Sequence, residues 1–186
     1  CPLFSGYAVA VTRAFISVAC LGFVLSCSGG PGTPTDPAGW VDPFIGTAAH
    51  GHTFPGATLP FGMVQLSPDT RLEGWDGCSG YHFTDDVVYG FSHTHLSGTV
   101  VSDYGDILFM PVTGEPRLEN GYGKSPDEGY ASSFDKATER AGAGWYSVEL
   151  ADYDISVELT ATERTGHHRY RFPRVRPAHL IVDLAH

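Results

Sequence analysis

Four histidines in two closely spaced pairs are the residues of this sequence that most directly suggest chemistry. The segment HGHTFPG contains His50 and His52, and the segment FSHTHLSG contains His93 and His95. In a strand, residues two apart point to the same face, so the second pair can reach one zinc ion. The first pair or Cys78 can complete such a shell. A histidine-x-histidine pair is a weak signal, however, and the same imidazoles can hydrogen-bond loop carbonyls or line a polar pocket.

A second segment, GWDGCSGYH, combines residue types that suit sugar recognition. A pyranose packs its apolar C–H face on an indole such as Trp75, while its hydroxyls need acceptors such as the carboxylate of Asp76. The glycines allow backbone amides to approach a ligand closely. A plainer interpretation stays open, in which Trp75 belongs to the core and Asp76 to a turn.

The elements that must position these residues are strands. The segments GWYSVEL, DISVELTAT and HHRYRF alternate apolar and polar residues, and DILFMP resembles a fully buried strand. Beyond Trp40 no apolar period of 3.6 residues is evident. Alternation with frequent turn signals predicts an all-β fold, an antiparallel β-sandwich. The glycine- and proline-rich stretch 41–103 lacks this period, and loops of such length are usually functional.

The first part of the chain has the pattern of an export signal. An apolar run of fourteen residues, AFISVACLGFVLSC, follows Arg13 and is too short to span a membrane. Its end resembles a bacterial lipobox, in which Cys27 becomes the lipidated first residue of the mature protein. We therefore expect a signal peptide and lipobox at 1–27, a flexible linker at 28–39 and a β-sandwich domain at 40–186. The protein is then exported and lipid-anchored in the bacterial envelope, in the periplasm or at the cell surface, with membrane contact only through Cys27.

Charge and cysteine content restrict the class of protein further. Lysine and arginine number 11 against 21 acidic residues, a formal net charge of −10, and such a chain repels the phosphate backbone of nucleic acids. Cys78 is the one thiol left in the expected mature domain, so the core must be stable without an internal disulfide. The sequence starts at Cys1 and stops at His186 inside a strand-like run. We expect it to be part of a longer product, with the domain truncated at its C-terminal end.

Three long motifs resemble one known family. The motifs are VDPFIGTAAHGHTFPGATLPFGMVQLSPDTR, GWDGCSGYH and YGFSHTHLSG with the following SDYGDI. They resemble the N-terminal region of glycoside hydrolase family 92, which comprises exo-acting α-mannosidases, and the resemblance extends from Trp40 to the last residues. Two departures are small: Ala48 and Ala49 stand where the family usually has two glycines, and Val100 and Val101 replace what is often a glycine and a cysteine.

The resemblance implies a two-domain enzyme that acts on the α-mannosides of glycans. Its N-terminal β-sandwich is this chain, and its downstream (α/α)6 barrel is absent from this sequence. Members of the family are calcium-dependent and invert the anomeric configuration, and the barrel supplies the catalytic acid, the base and most calcium contacts. We therefore assign neither a catalytic residue nor a metal ligand to this chain, and we expect the fragment alone to be inactive. Its partners are then the glycan substrate and its own C-terminal barrel.

The loops of this chain are expected to form one wall of the active-site cleft. On this hypothesis Trp75, Asp76, Cys78 and neighbouring backbone amides contact the sugar, while His93 and His95 brace the wall. One alternative is a non-catalytic carbohydrate-binding β-sandwich, and a further alternative is a zinc-dependent hydrolase built on the two histidine pairs.

Overall fold

The computed structural model describes residues 36–98, 104–125 and 128–186. The predicted signal peptide, the lipid anchor at Cys27 and most of the linker lie outside these ranges. At the end of the linker, Pro37–Trp40 forms one turn of 3-10 helix, and the Asp36 carboxylate accepts a hydrogen bond from the Ala38 N–H at 3.0 Å. None of the described segments forms a helix of the length and apolarity that crossing a bilayer requires.

The described residues form eleven strands and two short 3-10 helices. The second 3-10 helix is Trp75–Gly77. In chain order the strands are β1 (Ala57–Thr58), β2 (Gln65–Asp69), β3 (Val87–Val88), β4 (Gly90–Ser92), β5 (Leu108–Thr113), β6 (Ser132–Ser133), β7 (Arg140–Gly142), β8 (Trp145–Leu150), β9 (Ile155–Ala161), β10 (Gly166–Arg171) and β11 (Ala178–Asp183).

The strands form two principal sheets. One sheet has the order β1-β2-β4-β5-β11 and the other has the order β10-β9-β8-β7, while β3 and β6 pair separately. Each described pair of neighbouring strands is antiparallel. The apolar faces of both principal sheets contribute to a single buried cluster. The predicted all-β antiparallel β-sandwich is therefore confirmed.

The core follows the alternation visible in the sequence. On β8 and β9 every second side chain is buried, and β5 of the opposite sheet supplies three more. Each such side chain contributes roughly 1.5–3 kcal/mol relative to its exposed state. The residues concerned are Tyr146, Val148 and Leu150 on β8, Ile155, Val157 and Leu159 on β9, and Leu108, Met110 and Val112 on β5.

The hairpin between β8 and β9 shows how turn chemistry sets the register. Leu150 pairs with Ile155 across a four-residue loop, as the segment ADYD between two alternating runs predicts. Asp154 at the end of this loop has φ +57°, in the left-handed region that aspartate tolerates better than most residues. Because the register is set here, the apolar residues of both strands face the same side.

A buried polar cluster joins the four-stranded sheet to the long loop region. Glu139 is 5% exposed and accepts hydrogen bonds from the hydroxyl groups of Tyr81 at 2.9 Å and Tyr146 at 2.7 Å. Lys136 Nζ donates to the same carboxylate at 3.0 Å. Burial and the adjacent Glu139 charge raise the pKa of both tyrosines. Since Tyr81 is the tyrosine of the GWDGCSGYH segment, this cluster fixes that loop to the core.

Candidate functional site

Loops from the glycine-rich region converge on a cleft of about 300 Å³. Its residues lie where regular elements end. Asp69 is the last residue of β2, His95 follows the end of β4, and Cys78 to Gly80 follow the second 3-10 helix. Polar side chains dominate the lining, which suits a ligand rich in hydroxyl groups. The side chains and backbone that line it include Asp69, Arg71, Cys78, Gly80, His95, Tyr104 and His186.

The centre of this cleft is a buried ion pair between Asp69 and His95. Asp69 is 1% exposed and His95 is 4% exposed, and His95 Nε2 lies 2.9 Å from Asp69 Oδ1. His95 Nδ1 lies 2.7 Å from the backbone carbonyl oxygen of Gln65. Both ring nitrogens therefore face oxygen atoms, and these two contacts fix the orientation of the ring. The second carboxylate oxygen accepts a hydrogen bond from the Ser92 N–H at 3.0 Å.

The electrostatics of Asp69 follow from these neighbours. Burial by itself raises the pKa of the Asp69 carboxyl, but the positive charges of His95 and His186 outweigh burial and bring the pKa well below its usual range. His186 Nε2 lies 3.8 Å from Asp69 Oδ2, a distance for an ion pair rather than for a hydrogen bond. Because the Asp69 carboxylate is paired on both oxygens, it serves to position the cleft and is not free to transfer a proton.

Gly80 allows the cleft wall to approach the ion pair. It has φ +76°, and a Cβ at this position would lie 2.6 Å from Asp69 Oδ1 and 2.9 Å from His95 Cδ2. Its carbonyl oxygen accepts hydrogen bonds from the backbone N–H groups of Thr70 at 2.7 Å and Arg71 at 3.1 Å. A side chain at residue 80 would therefore displace the carboxylate, which gives the third glycine of GWDGCSGYH a steric reason.

The neighbouring Arg71 is held by a second carboxylate. Its guanidinium forms a two-point contact with Asp85, through Nε at 3.2 Å and through a short contact from a terminal nitrogen. Thr70 Oγ1 also donates to Asp85 at 3.0 Å. This bidentate geometry orients the guanidinium, and Arg71 lines the cleft in a defined position.

The loop that gives Cys78 and Gly80 to the cleft also carries Trp75 and Asp76. The indole of Trp75 is 56% exposed, so it is not a core residue. His52 packs edge-to-face against it, with ring centroids 5.3 Å apart. Asp76 Oδ1 lies 2.7 Å from His50 Nδ1 and 3.2 Å from His52 Nε2, and these contacts, chiefly the hydrogen bond from His50, lower the pKa of Asp76.

The loop bearing the first histidine pair has an unusual backbone. Ala49 and His52 have φ +51° and +52°, in the left-handed region. Ala49 stands at one of the positions where the resembling family has glycine, which adopts this conformation without strain. The Ala49 carbonyl accepts a hydrogen bond from His82 Nε2 at 3.1 Å, so the loop keeps its shape despite the alanine. The other departure, at Val100 and Val101, lies outside the described residues.

The second histidine pair is divided between two environments. Strand β4 ends at Ser92, so His93 and His95 do not lie in a strand and do not share a face. While His95 enters the cleft, His93 lies between the two sheets, with Nδ1 at 2.8 Å from the Ile107 carbonyl and Nε2 at 3.1 Å from His168 Nε2. The two imidazoles therefore meet different partners and do not converge on a common point.

The predicted site residues thus fall into three places. Trp75 and Asp76 lie together beside the first histidine pair, Cys78 and His95 line the cleft, and His93 packs against β10. Cys78 is a buried cysteine in the cleft wall. Sequence reasoning did not single out Asp69 or Gly80. The signal that could have found Asp69 is a carboxylate at the end of the strand-like segment MVQLSPD, because a carboxylate that becomes buried requires a partner.

The fold and the cleft define a β-sandwich domain with a polar cleft and an adjacent exposed indole, a combination that suits a ligand rich in hydroxyl groups. Residues 40–186 match the family model described as "Glycosyl hydrolase family 92 N-terminal domain". The chain therefore belongs to this family. The resemblance of the sequence motifs to family 92 is therefore confirmed.

Solved structures and a curated relative agree with this assignment. The chain is 44% identical to the family GH92 α-mannosidase BT3965 from Bacteroides thetaiotaomicron, with a TM-score of 0.77, over 80% of this chain and 20% of that one. It is 28% identical to the family GH92 inverting mannosidase BT2199 from the same species, with a TM-score of 0.62, over 74% of this chain and 18% of that one. An uncharacterized secreted glycosidase from Arthroderma benhamiae is 32% identical over 135 residues, which is 72% of this chain and 17% of the relative. The chain thus spans about a fifth of the length of these relatives.

Proposed function

We propose that this chain is the N-terminal β-sandwich of an exo-acting α-mannosidase that removes mannose from glycans. Membership of family 92 supports the proposal. It is also supported by the similarity to BT3965, an α-mannosidase solved in complex with mannoimidazole. In this proposal the chain works together with a C-terminal (α/α)6 barrel encoded further along the same polypeptide.

The role proposed for this domain is to form one wall of the active-site cleft. The observation that carries it is the exposed indole of Trp75 beside the Asp76 carboxylate, on the loop whose later residues line the polar cleft. An indole packs on the C–H face of a pyranose, and Asp76 Oδ2, the carboxylate oxygen that does not contact the two histidines, accepts a hydrogen bond from a sugar hydroxyl. Together the two residues bind a terminal mannose or the sugar next to it.

The buried pair Asp69 and His95 gives this wall its rigidity. Both residues are almost fully buried and their hydrogen bonds run to the backbone of Gln65 and Ser92, in strands β2 and β4. The wall is therefore anchored to the five-stranded sheet through these hydrogen bonds. A preformed wall lowers the entropy cost of binding a flexible glycan.

The chemical step is proposed to use inversion at the anomeric carbon. An inverting glycosidase needs one carboxylic acid to protonate the leaving oxygen and one carboxylate to activate a water molecule. BT2199 is described as an inverting mannosidase. We assign the acid and the base to the barrel and neither to this chain, so the chain by itself should bind sugar at most and hydrolyse none.

Calcium dependence is proposed with the ion held mainly by the barrel. Calcium prefers six to eight oxygen ligands, which carboxylates and carbonyl groups supply. Over 36–98, 104–125 and 128–186, the group of three side chains close enough to hold an ion is His50, His52 and Asp76, with two nitrogen donors. This set does not fit calcium, and no calcium ligand is assigned to it.

Export is proposed from the N-terminal pattern together with the relative from Arthroderma benhamiae, which is described as secreted. Lipid attachment at Cys27 remains part of the proposal. Metabolic labelling with a fatty-acid analogue checks it: the wild-type protein should incorporate label, and the variant Cys27→Ala should incorporate none.

The test of the proposed wall is the variant Trp75→Ala in the full-length enzyme. Loss of the stacking surface should lower kcat/KM for an α-mannoside about tenfold to hundredfold, corresponding to about 1.4–2.8 kcal/mol of binding free energy. Trp145→Ala is a matched control, because Trp145 is also exposed, at 44%, but lies on β8 in the four-stranded sheet. The control should keep wild-type activity.

Equal kcat/KM for Trp75→Ala and the wild type, with both proteins folded, would remove Trp75 from the site. The alternative is a non-catalytic carbohydrate-binding module. That alternative predicts mannan binding without hydrolysis even when the polypeptide includes its C-terminal part.

A further inference from the structure

We propose that His50, His52 and Asp76 form a binding site for one divalent transition-metal ion of the zinc type. This site is separate from the calcium proposed for the barrel, and it does not depend on the proposed glycosidase activity. One ligand atom from each of the three residues lies within 4.8 Å of the other two. Within the described ranges, it is the one group of three histidine, cysteine or acidic side chains that meets this condition.

Two of the three ligands are already held in place. The side chain of His52 is 7% exposed, and its ring packs edge-to-face on Trp75. Asp76 lies in the 3-10 helix Trp75–Gly77, with its side chain 29% exposed. A site with two fixed ligands loses little conformational entropy when an ion binds.

The third ligand, His50, lies on a loop that folds back on itself. Gly51 separates the two histidines, and a Cβ at Gly51 would lie 2.0 Å from the backbone oxygen of Gly46. The loop is also tied to its neighbours by a hydrogen bond from the Phe83 N–H to the Thr47 carbonyl at 2.9 Å. The side chain of His50 is 76% exposed, so the imidazole can shift to follow an ion.

The distances between the ligand atoms suit a tetrahedral ion. Bonds of about 2.0–2.1 Å in such a site place neighbouring ligand atoms about 3.3 Å apart. His52 Nε2 lies 3.2 Å from Asp76 Oδ1, close to that value. His50 Nδ1 lies 2.7 Å from the same oxygen and must move away by roughly half an ångström, which its exposed side chain permits.

The donor set selects the class of metal. Two imidazole nitrogens and one carboxylate oxygen suit Zn²⁺, Ni²⁺ or Cu²⁺, whereas Ca²⁺ and Mg²⁺ prefer oxygen ligands alone. Three protein ligands leave at least one coordination position open on the exposed side of His50. The ion would also link two loops that are 24 residues apart in the sequence.

The test is isothermal titration calorimetry of Zn²⁺ into the purified protein after treatment with a chelator and dialysis. The wild type should bind one Zn²⁺ per chain at this site. His50→Ala and Asp76→Asn should each weaken binding at least tenfold, because each removes one of three ligands. His179→Ala is the control and should bind as the wild type does, since His179 is an exposed histidine on β11 outside the cluster. Ca²⁺ at the same concentration should neither bind there nor compete.

Two results would overturn the proposal. One is a wild-type protein that binds no stoichiometric Zn²⁺, and the other is wild-type affinity in both His50→Ala and Asp76→Asn. His52→Ala is avoided because it also removes a buried side chain. If His50→Ala is unstable, Asp76→Asn, which keeps the shape of its side chain, decides the question by itself.

Discussion

Removing the Asp69 carboxylate tests the buried ion pair that organises the cleft. Asp69→Ala leaves His95 Nε2 without its carboxylate partner and the Ser92 N–H without an acceptor, at sites that are at most 4% exposed. Breaking a buried pair by removal of one partner costs about 3–5 kcal/mol. For a chain of this size about 4 kcal/mol lowers Tm by roughly 8–16 °C.

The variant Asp69→Asn should behave differently because His95 can adapt: its Nε2 can accept a hydrogen bond as well as donate one. The asparagine amide can donate to His95 Nε2, while the asparagine oxygen still accepts from the Ser92 N–H. Both contacts are then kept as hydrogen bonds, and the expected cost is about 1–2 kcal/mol. The order of stability should therefore be wild type, Asp69→Asn and then Asp69→Ala.

Urea unfolding at neutral pH, followed by circular dichroism, measures all three proteins. A matched reference is Glu163→Ala, which removes a carboxylate from the exposed β9–β10 turn, at a residue without positive φ, and leaves the cleft unchanged. Unfolding free energies of Asp69→Ala and the wild type within 1 kcal/mol of each other would refute the ion pair. Equal losses in Asp69→Ala and Asp69→Asn would refute the argument that His95 adapts.

Three further predictions concern stability. Glu139→Ala removes the buried carboxylate that accepts hydrogen bonds from two tyrosine hydroxyls and from Lys136, so we expect a loss of about 3–5 kcal/mol in urea unfolding, and less than half of that for Glu139→Gln. Burial and the neighbouring histidines lower the pKa of His168 from 6.5 to about 4, so its neutral form stabilises the fold above pH 6.5. That contribution is lost as the pH falls toward 4, and about 2 kcal/mol should disappear between pH 8 and pH 5 in the wild type but not in His168→Gln. Gly80→Ala should cost at least about 2 kcal/mol more than Gly74→Ala, because both residues have positive φ but Gly74 has free space around it; equal thermal shifts would contradict the steric argument.

The predicted fold survived because its signals are local. The alternation in GWYSVEL and DISVELTAT places side chains on alternate faces whatever the partner strand is, and the four-residue turn between them sets the register. The long motifs around HGHTFPG and GWDGCSGYH likewise carry their family assignment within continuous stretches of sequence. These features need no knowledge of which distant strands become neighbours.

The second histidine pair shows where local reasoning failed. Two side chains that are two residues apart lie on one face only if the backbone between them is extended. Strand β4 ends at Ser92, the residue before His93. Tertiary packing then directs His93 toward His168 on β10 and His95 toward Asp69 on β2. The zinc site considered for this pair required a strand that includes both histidines, and β4 ends before the first of them.

From the sequence alone came the β-sandwich, the family and the region that carries the site, because period, turn chemistry and motif identity are properties of neighbouring residues. Only the tertiary structure decided that Asp69 pairs with His95, 26 residues away, and that His50 and His52 meet Asp76. A charge or an imidazole acquires its role from the groups that surround it after folding. Those groups come from separate loops and strands. No single stretch of the chain determines which of these loops and strands become neighbours.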